Sequence, residues 1–317
     1  MLVAGGTNAI GRMLGLLGDE WNLLIIQQAL MGAGRYSHFI SRLPISNSVL
    51  TTRLSLLVGE GLLSHGEGTY QTTVRSRSLW PVLVSIWDWE RTWVPQHRTR
   101  LPAMRHRACG ELFEPLLCCA ACGAATNGQD VDFDPGPSGQ WSRFAPAVTT
   151  RRRSEAAATA RQAWQTVQAG LFPETMAVLG NRWAAAILFA AFLRTRRFTD
   201  FQTQLGAPPS VLTERLQRFC AIGVFHTSPA QPGGSERAAY LLTDKGRAFG
   251  GVLIAALQWA QRWFAAPEGP AIVVRHRVCG RPLTAELGCD RCGGRLSGAQ
   301  LTVTGVDVTQ GEVAGTP

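Results

Sequence analysis

The chain carries one domain-sized pattern twice. Leu17-Gly18-Asp19-Glu20-Trp21 aligns with Leu179-Gly180-Asn181-Arg182-Trp183 at an offset of 162 residues. At the same offset Arg35-Tyr36-Ser37-His38-Phe39 falls on Arg197-Phe198-Thr199-Asp200-Phe201, and 48–54 falls on 210–216. Beyond that point the offset becomes 170 and holds, so Tyr70 meets Tyr240, Trp89 meets Trp259 and Trp93 meets Trp263. Solenoid repeats run to 20–50 residues, so a period this long predicts tandem domains. Two copies of one surface in one chain suit a target with two equivalent halves.

A length of 317 residues accommodates two such domains, each with a core of its own. The net charge of +9, from 31 basic and 22 acidic residues, favours a polyanionic partner or an anionic membrane surface. No apolar run is long enough to span a bilayer, and the first residues lack the pattern of a secretory signal, which predicts a cytoplasmic protein. An enzyme is not expected. No phosphate-cradling glycine loop follows a strand, no nucleophile sits beside a base, and the acidic residues are scattered.

Apolar periodicity predicts a mainly α chain with small β-hairpins (α+β). In copy one a buried helix runs from Trp21 to Leu30. A short helix follows over Tyr36 to Leu43, and a third begins at Ser46-Asn47-Ser48, all good N-cap residues. Leu50, Leu54, Leu57 and Val58 form the apolar stripe of the third, leaving Thr51, Thr52 and Ser55 facing outward. Two short strands flank Gly66-Glu67-Gly68, and a long helix starts near Ser78 with Pro81 in its first turn. Copy two repeats the order with helices near 181–193, 198–205 and 209–222, a hairpin over 224–243, and a helix from Asp244 to about Ala265. Its eight extra residues fall at the hairpin tip, where loop closure tolerates them. The expected boundaries are 10–135 for copy one, 136–173 for a linker with a helix, 174–305 for copy two and 306–317 for a tail.

Three helices, a hairpin and a further helix make a winged helix-turn-helix domain. The chain resembles the HxlR family of winged-helix transcriptional regulators. The features are Leu-Gly-x-x-Trp opening the first core helix, Arg-[Phe/Tyr]-x-x-Phe opening the second, and Val-Leu-Thr-x-Arg-Leu in the third. Tyr240-Leu241-Leu242-Thr243-Asp244-Lys245-Gly246 is similar to the family's second wing strand and turn, and Leu79-Trp80-Pro81-Val82-Leu83 with Trp89 and Trp93 to its C-terminal helix. Copy one departs at the wing, with Thr72-Thr73-Val74-Arg75-Ser76 where Leu-Thr-x-x-Gly is expected. The resemblance implies binding to double-stranded operator DNA, which family members usually do as homodimers. Here the two long helices are expected to pack together, giving a monomer that acts as a pseudo-dimer, or a homodimer of such chains.

On this reading the residues offered to base edges are Asn47, Ser48, Thr51, Thr52 and Ser55, with Ser210, Thr213, Glu214 and Gln217 in copy two. Arg35, Arg42 and Arg53, with Arg196, Arg197, Arg215, Arg218 and Arg237, are the phosphate clamps. The bland alternative is a set of solvated basic faces. The Trp89/Trp93 and Trp259/Trp263 rows are expected to be core or inter-domain packing.

Six of the eight cysteines fall in two matched clusters. His106-x2-Cys109-x9-Cys119-x2-Cys122 is repeated as His276-x2-Cys279-x9-Cys289-x2-Cys292. Two knuckles joined by a turn-length spacer predict a small Cys₃His ribbon closing each copy, with structural zinc, two per chain. Redox or electrophile sensing through cysteine and simple packing are the other readings, with Cys118 and Cys220 as weak thiol-switch candidates. A small-molecule effector is expected between the long helices and the ribbons. The alternative in another class is a winged-helix scaffold that binds proteins instead of DNA.

Overall fold

A computed structural model describes residues 2–99, 101–144, 173–228 and 238–304. The Ala/Gln-rich linker, the tip of the second wing with Arg237, and the tail lie outside the described residues.

Four helices of copy one begin at a side chain that caps them. Asn8 accepts from the Gly11 amide at the start of α1 (Ala9–Leu17), and Asp19 from the Asn22 amide at the start of α2 (Glu20–Leu30). After α3 (Tyr36–Arg42), Ser46 caps α4 (Asn47–Gly59). The wing is the hairpin β1 (Leu63–Gly66) and β2 (Thr69–Thr72), with Glu67 and Gly68 both at positive φ, as a tight two-residue turn requires. Thr73 then caps α5 (Val74–Arg77) through a reciprocal capping box with Ser76, and α6 (Trp80–Trp93) follows with Pro81 in its first turn. The ribbon strands are β3 (Met104–His106), β4 (Pro115–Cys119) and β5 (Val131–Pro135).

Copy two runs α7 (Pro173–Val178), α8 (Arg182–Phe192), α9 (Phe198–Leu205), α10 (Pro209–Ala221), then the wing strands β6 (Phe225–Ser228) and β7 (Ala239–Leu242). It closes with α11 (Asp244–Ala248), α12 (Gly250–Trp263), β8 (Ile272–His276), β9 (Ala285–Cys289) and β10 (Leu301–Val303). The helix expected from Asp244 to Ala265 is therefore broken at Phe249, as its counterpart is before Trp80. Two glycines follow the break, and they hold helix weakly. A Cβ on Gly250 would lie 2.8 Å from the Gly128 Cα, so this glycine lets the loop of copy one come against α12. The diverged wing base of copy one keeps the same chemistry. Thr73 Oγ1 donates to the Gly61 carbonyl at 2.8 Å, as Thr243 Oγ1 does to Gly223 at 2.6 Å.

The two copies are interleaved instead of standing side by side. One continuous core runs from Ile10 and Leu14 of α1 through Ile25 and Leu54 to Phe189, Phe219 and Leu253 of copy two. The long helices α6 and α12 pack together, as expected for a pseudo-dimer. In addition α1 packs on α12 and α7 on α6, so each leading helix docks on the other copy. The buried Trp89 donates its indole N–H to the Lys245 carbonyl, and Trp259 donates to Arg75. Asp19 and Asn181, equivalent N-caps, form an antiparallel bridge near the centre. Gly18 permits that approach: a Cβ there would meet Arg182 Cα at 2.9 Å.

The ribbons depart furthest from expectation. Strand β4 pairs antiparallel with β9, β5 with β8, and β3 with β10. Every ribbon strand thus takes its partner from the opposite copy.

Candidate nucleic-acid interface and metal centres

In α4 the apolar stripe Leu50, Leu54 and Leu57 turns inward, which forces Asn47, Ser48, Thr51, Thr52 and Ser55 to the surface. All five are exposed, as are Ser210, Thr213, Glu214 and Gln217 on α10, where Leu212, Leu216 and Phe219 are buried. The copy-one face is partly pre-ordered. Tyr36 Oη donates to the Asn47 carbonyl at 3.0 Å and lies 3.3 Å from Thr51 Oγ1. Thr52 is less available, because its hydroxyl donates to the Ser48 carbonyl at 2.8 Å.

The arginines separate into two groups. Arg35, Arg42, Arg196, Arg197 and Arg218 are exposed. Arg53 instead turns back to Asp19 at 2.7 Å, bracing α4 on the N-cap of α2. Arg215 has only 14% of its side chain exposed and lies 3.2 Å from Glu214. Both stand one residue before the inward Leu54 and Leu216; Arg53 holds α4 to α2, and Arg215 lies half-buried along its own helix. That adjacency, not their charge, is the signal for this.

The eight metal-ligand candidates converge on two clusters, but not within copies. His106 and Cys109 meet Cys289 and Cys292; Cys119 and Cys122 meet His276 and Cys279. In each cluster the donor atoms lie within 4.8 Å of one another. The reason is the conformation of the spacer. Residues Pro115–Cys119 run extended, and Pro115 pairs with Cys289 while Cys119 pairs with Ala285. Four steps of strand hold Cys119 roughly 14 Å from Cys289, so the two knuckles of one copy stand at opposite ends of the ribbon. The single-copy ribbon is thereby corrected to two clusters shared across the molecular pseudo-axis.

Each knuckle turns on a glycine at positive φ directly after a cysteine: Gly110, Gly123, Gly280 and Gly293. The Gly294 amide pointing at Cys292 is the main influence holding that thiol below its ordinary range. Histidines 106 and 276 are buried and face sulfur through Nδ1, at 3.4–3.5 Å from two cysteines each. The two unclustered cysteines behave differently. Burial raises Cys118, with the Glu286 carboxylate adding to it, and burial alone raises Cys220. A raised thiol is less ionised and a poorer nucleophile, which weighs against a thiol switch at either place.

Two acids on α6 stand outside every motif of the sequence. Glu90 is fully buried and accepts from the Thr175 amide and hydroxyl at 2.8 and 2.7 Å, fastening α7 of copy two to α6 of copy one. Its other oxygen meets His97 Nδ1 at 2.8 Å. Burial, the largest influence, raises its pKa despite those hydrogen bonds. Asp88 precedes it on the same helix, where burial raises its carboxyl to about 7. No helix among the described residues is long and apolar enough to cross a membrane.

Two winged helices with outward recognition helices, fused back to back, define a helix-turn-helix protein. The model of the HxlR-like helix-turn-helix family matches residues 16–98 and 178–268, and the chain belongs to that family. Proteins of Mycobacterium bovis and Mycobacterium tuberculosis, each described as an uncharacterized HTH-type transcriptional regulator, are 34% identical over 125 residues. That match spans 39% of this chain and 78% of each relative. The Bacillus subtilis protein YvaP, with the same description, is 32% identical over 93 residues, spanning 29% of this chain and 85% of its own.

Proposed function

We infer that this chain is a sequence-specific DNA-binding transcriptional regulator working as a single-chain pseudo-dimer. The observation that carries the reading is the pair of recognition helices, α4 and α10, both presenting polar faces to solvent from one shared core. Covalent linkage replaces dimerisation by an intramolecular event, so both heads are always at high effective concentration. The faces differ, Asn47-Ser48-x-x-Thr51 against Pro209-Ser210-x-x-Thr213-Glu214, so the preferred site is an imperfect palindrome or unequal pair.

Zinc in the two clusters completes the reading. Ideal tetrahedral bonds to zinc place sulfurs about 3.8 Å apart and sulfur about 3.5 Å from nitrogen. Cys109 and Cys289 sulfurs lie 4.0 Å apart, Cys119 and Cys279 sulfurs 3.9 Å, and the His–Cys distances run 3.4–3.5 Å. Three thiolates and one imidazole leave no open position, which suits a structural ion. Each ion would clamp copy one to copy two.

Selection of duplexes from a random library, followed by fluorescence anisotropy across a salt series, tests the DNA reading. Affinity is expected to fall steeply with salt. Arg42→Ala and Arg218→Ala should weaken all sequences alike, each lowering the salt slope by about 0.9, the effect of one phosphate left without its arginine. Thr51→Ala should instead relax preference at one position. Absence of binding at low salt would favour the protein-interaction scaffold.

A further inference from the structure

The repeat allows each place in copy one to be compared with its equivalent in copy two, and one place differs in chemistry. On α12, Gln258 pairs with the ribbon: its Nε2 donates to the Ala285 carbonyl at 2.9 Å and its Oε1 accepts from the Ala285 amide at 2.7 Å. The equivalent residue on α6 is Asp88, and the equivalent of Ala285 is Pro115, which has no N–H to donate. Among the described residues Asp88 makes no hydrogen bond or ion pair. The cation that acts on it, Arg91, donates to the Leu101 carbonyl and lies over the Trp87 ring.

A second difference falls one turn on. In copy two Arg262 holds its guanidinium 5.5 Å from the Trp263 ring centre. In copy one the equivalent of Arg262 is Thr92, and no cation among the described residues covers Trp93. Where copy two has a built-in cation and a satisfied amide, copy one has an indole without a cation and an unpaired carboxyl.

These groups line one groove. It lies between α6, α12 and the β4–β9 ribbon, holds about 230 Å³, and is walled by Trp89, Trp93, Leu116, Leu117 and Val252 with Asp88 among them. Gly251 opens its α12 side, since a Cβ there would meet nothing within 4 Å, whereas the equivalent residue in copy one is Pro81. Glu114 and Asp290 add negative potential, acting with burial to raise Asp88.

We propose that this groove is a binding site, present once per chain, for a compact organic cation with an apolar or aromatic body. The cation would pair with Asp88 and lie against the face of Trp93, with its body among the leucines. The volume is below that of drug-sized ligands, which selects small amines. A hydrocarbon alone would leave Asp88 unpaired.

Isothermal titration of the metal-loaded full chain with phenethylammonium, beside the neutral 2-phenylethanol, tests this without DNA, so its failure leaves the regulator reading untouched. The amine is expected to bind once per chain and at least about tenfold more tightly than the alcohol. Asp88→Asn should remove that preference, and Gly251→Leu should block both. Equal binding of amine and alcohol, an undiminished preference in Asp88→Asn, or no binding of the amine would overturn the proposal.

Discussion

Trp89 donates its indole N–H to the backbone carbonyl of Lys245 at 3.0 Å, and so reaches from the last helix of one copy to the wing base of the other. The equivalent Trp259 makes the same bond to the Arg75 carbonyl at 3.0 Å. These two bonds tie each wing base to the opposite long helix, which makes the pseudo-dimer one cooperative unit.

Replacing either tryptophan by phenylalanine should therefore loosen the whole molecule instead of one half. The change removes one hydrogen bond across the copies and leaves a small void, at about 1–3 kcal/mol, although the Arg75 carbonyl keeps the Ser78 hydroxyl at 2.8 Å. Urea unfolding followed by hydrogen exchange checks it: protection should fall in both copies. Loss confined to the copy bearing the substitution would show that the halves unfold independently.

Metal content of cysteine variants reads the shared clusters directly. The intact chain should hold about two zinc ions. Cys109→Ser with Cys289→Ser removes two ligands of one cluster, leaving one ion, whereas Cys109→Ser with Cys119→Ser damages both clusters and should leave none. Ribbons closed within each copy would give the reverse pattern, zero and then one.

Asp88 makes stability depend on pH with a definite sign. Its carboxyl is raised from 3.8 to about 7, by burial first and then Glu114 and Asp290, against the opposing Arg91. The folded state binds this proton more tightly than the unfolded one, so its contribution is full below about pH 4 and is lost as pH rises through 7. Asp88→Asn stays neutral throughout. The variant should match the wild type in acid and exceed it above pH 7, by about 1–4 kcal/mol. A stability difference that does not change with pH would contradict the burial of this group.

Much of the fold was legible because local chemistry repeats itself. The stripe Leu50, Leu54 and Leu57 placed the outward face, and the matched His/Cys spacing named all eight residues of the two clusters. Three things were not legible. Helix α1 carries local signals, the Asn8 cap and apolar residues at Ile10, Met13, Leu14 and Leu17, but its docking on α12, about 240 residues away, has no signal in the sequence. Arg53 looked like a surface cation until α4 was docked on the N-cap of α2. Asp88 resembled any exposed acid, since its isolation depends on Pro115 standing opposite.

Periodicity and capping act over a few residues, so the amino-acid order alone determined that there are two winged helices, where their outward faces lie and which side chains can grip a metal. Which knuckle joins which is a choice between partners far apart in the chain. The tertiary structure made it, because an extended β4 cannot bring its own two ends together and the antiparallel β9 supplies the missing end at each.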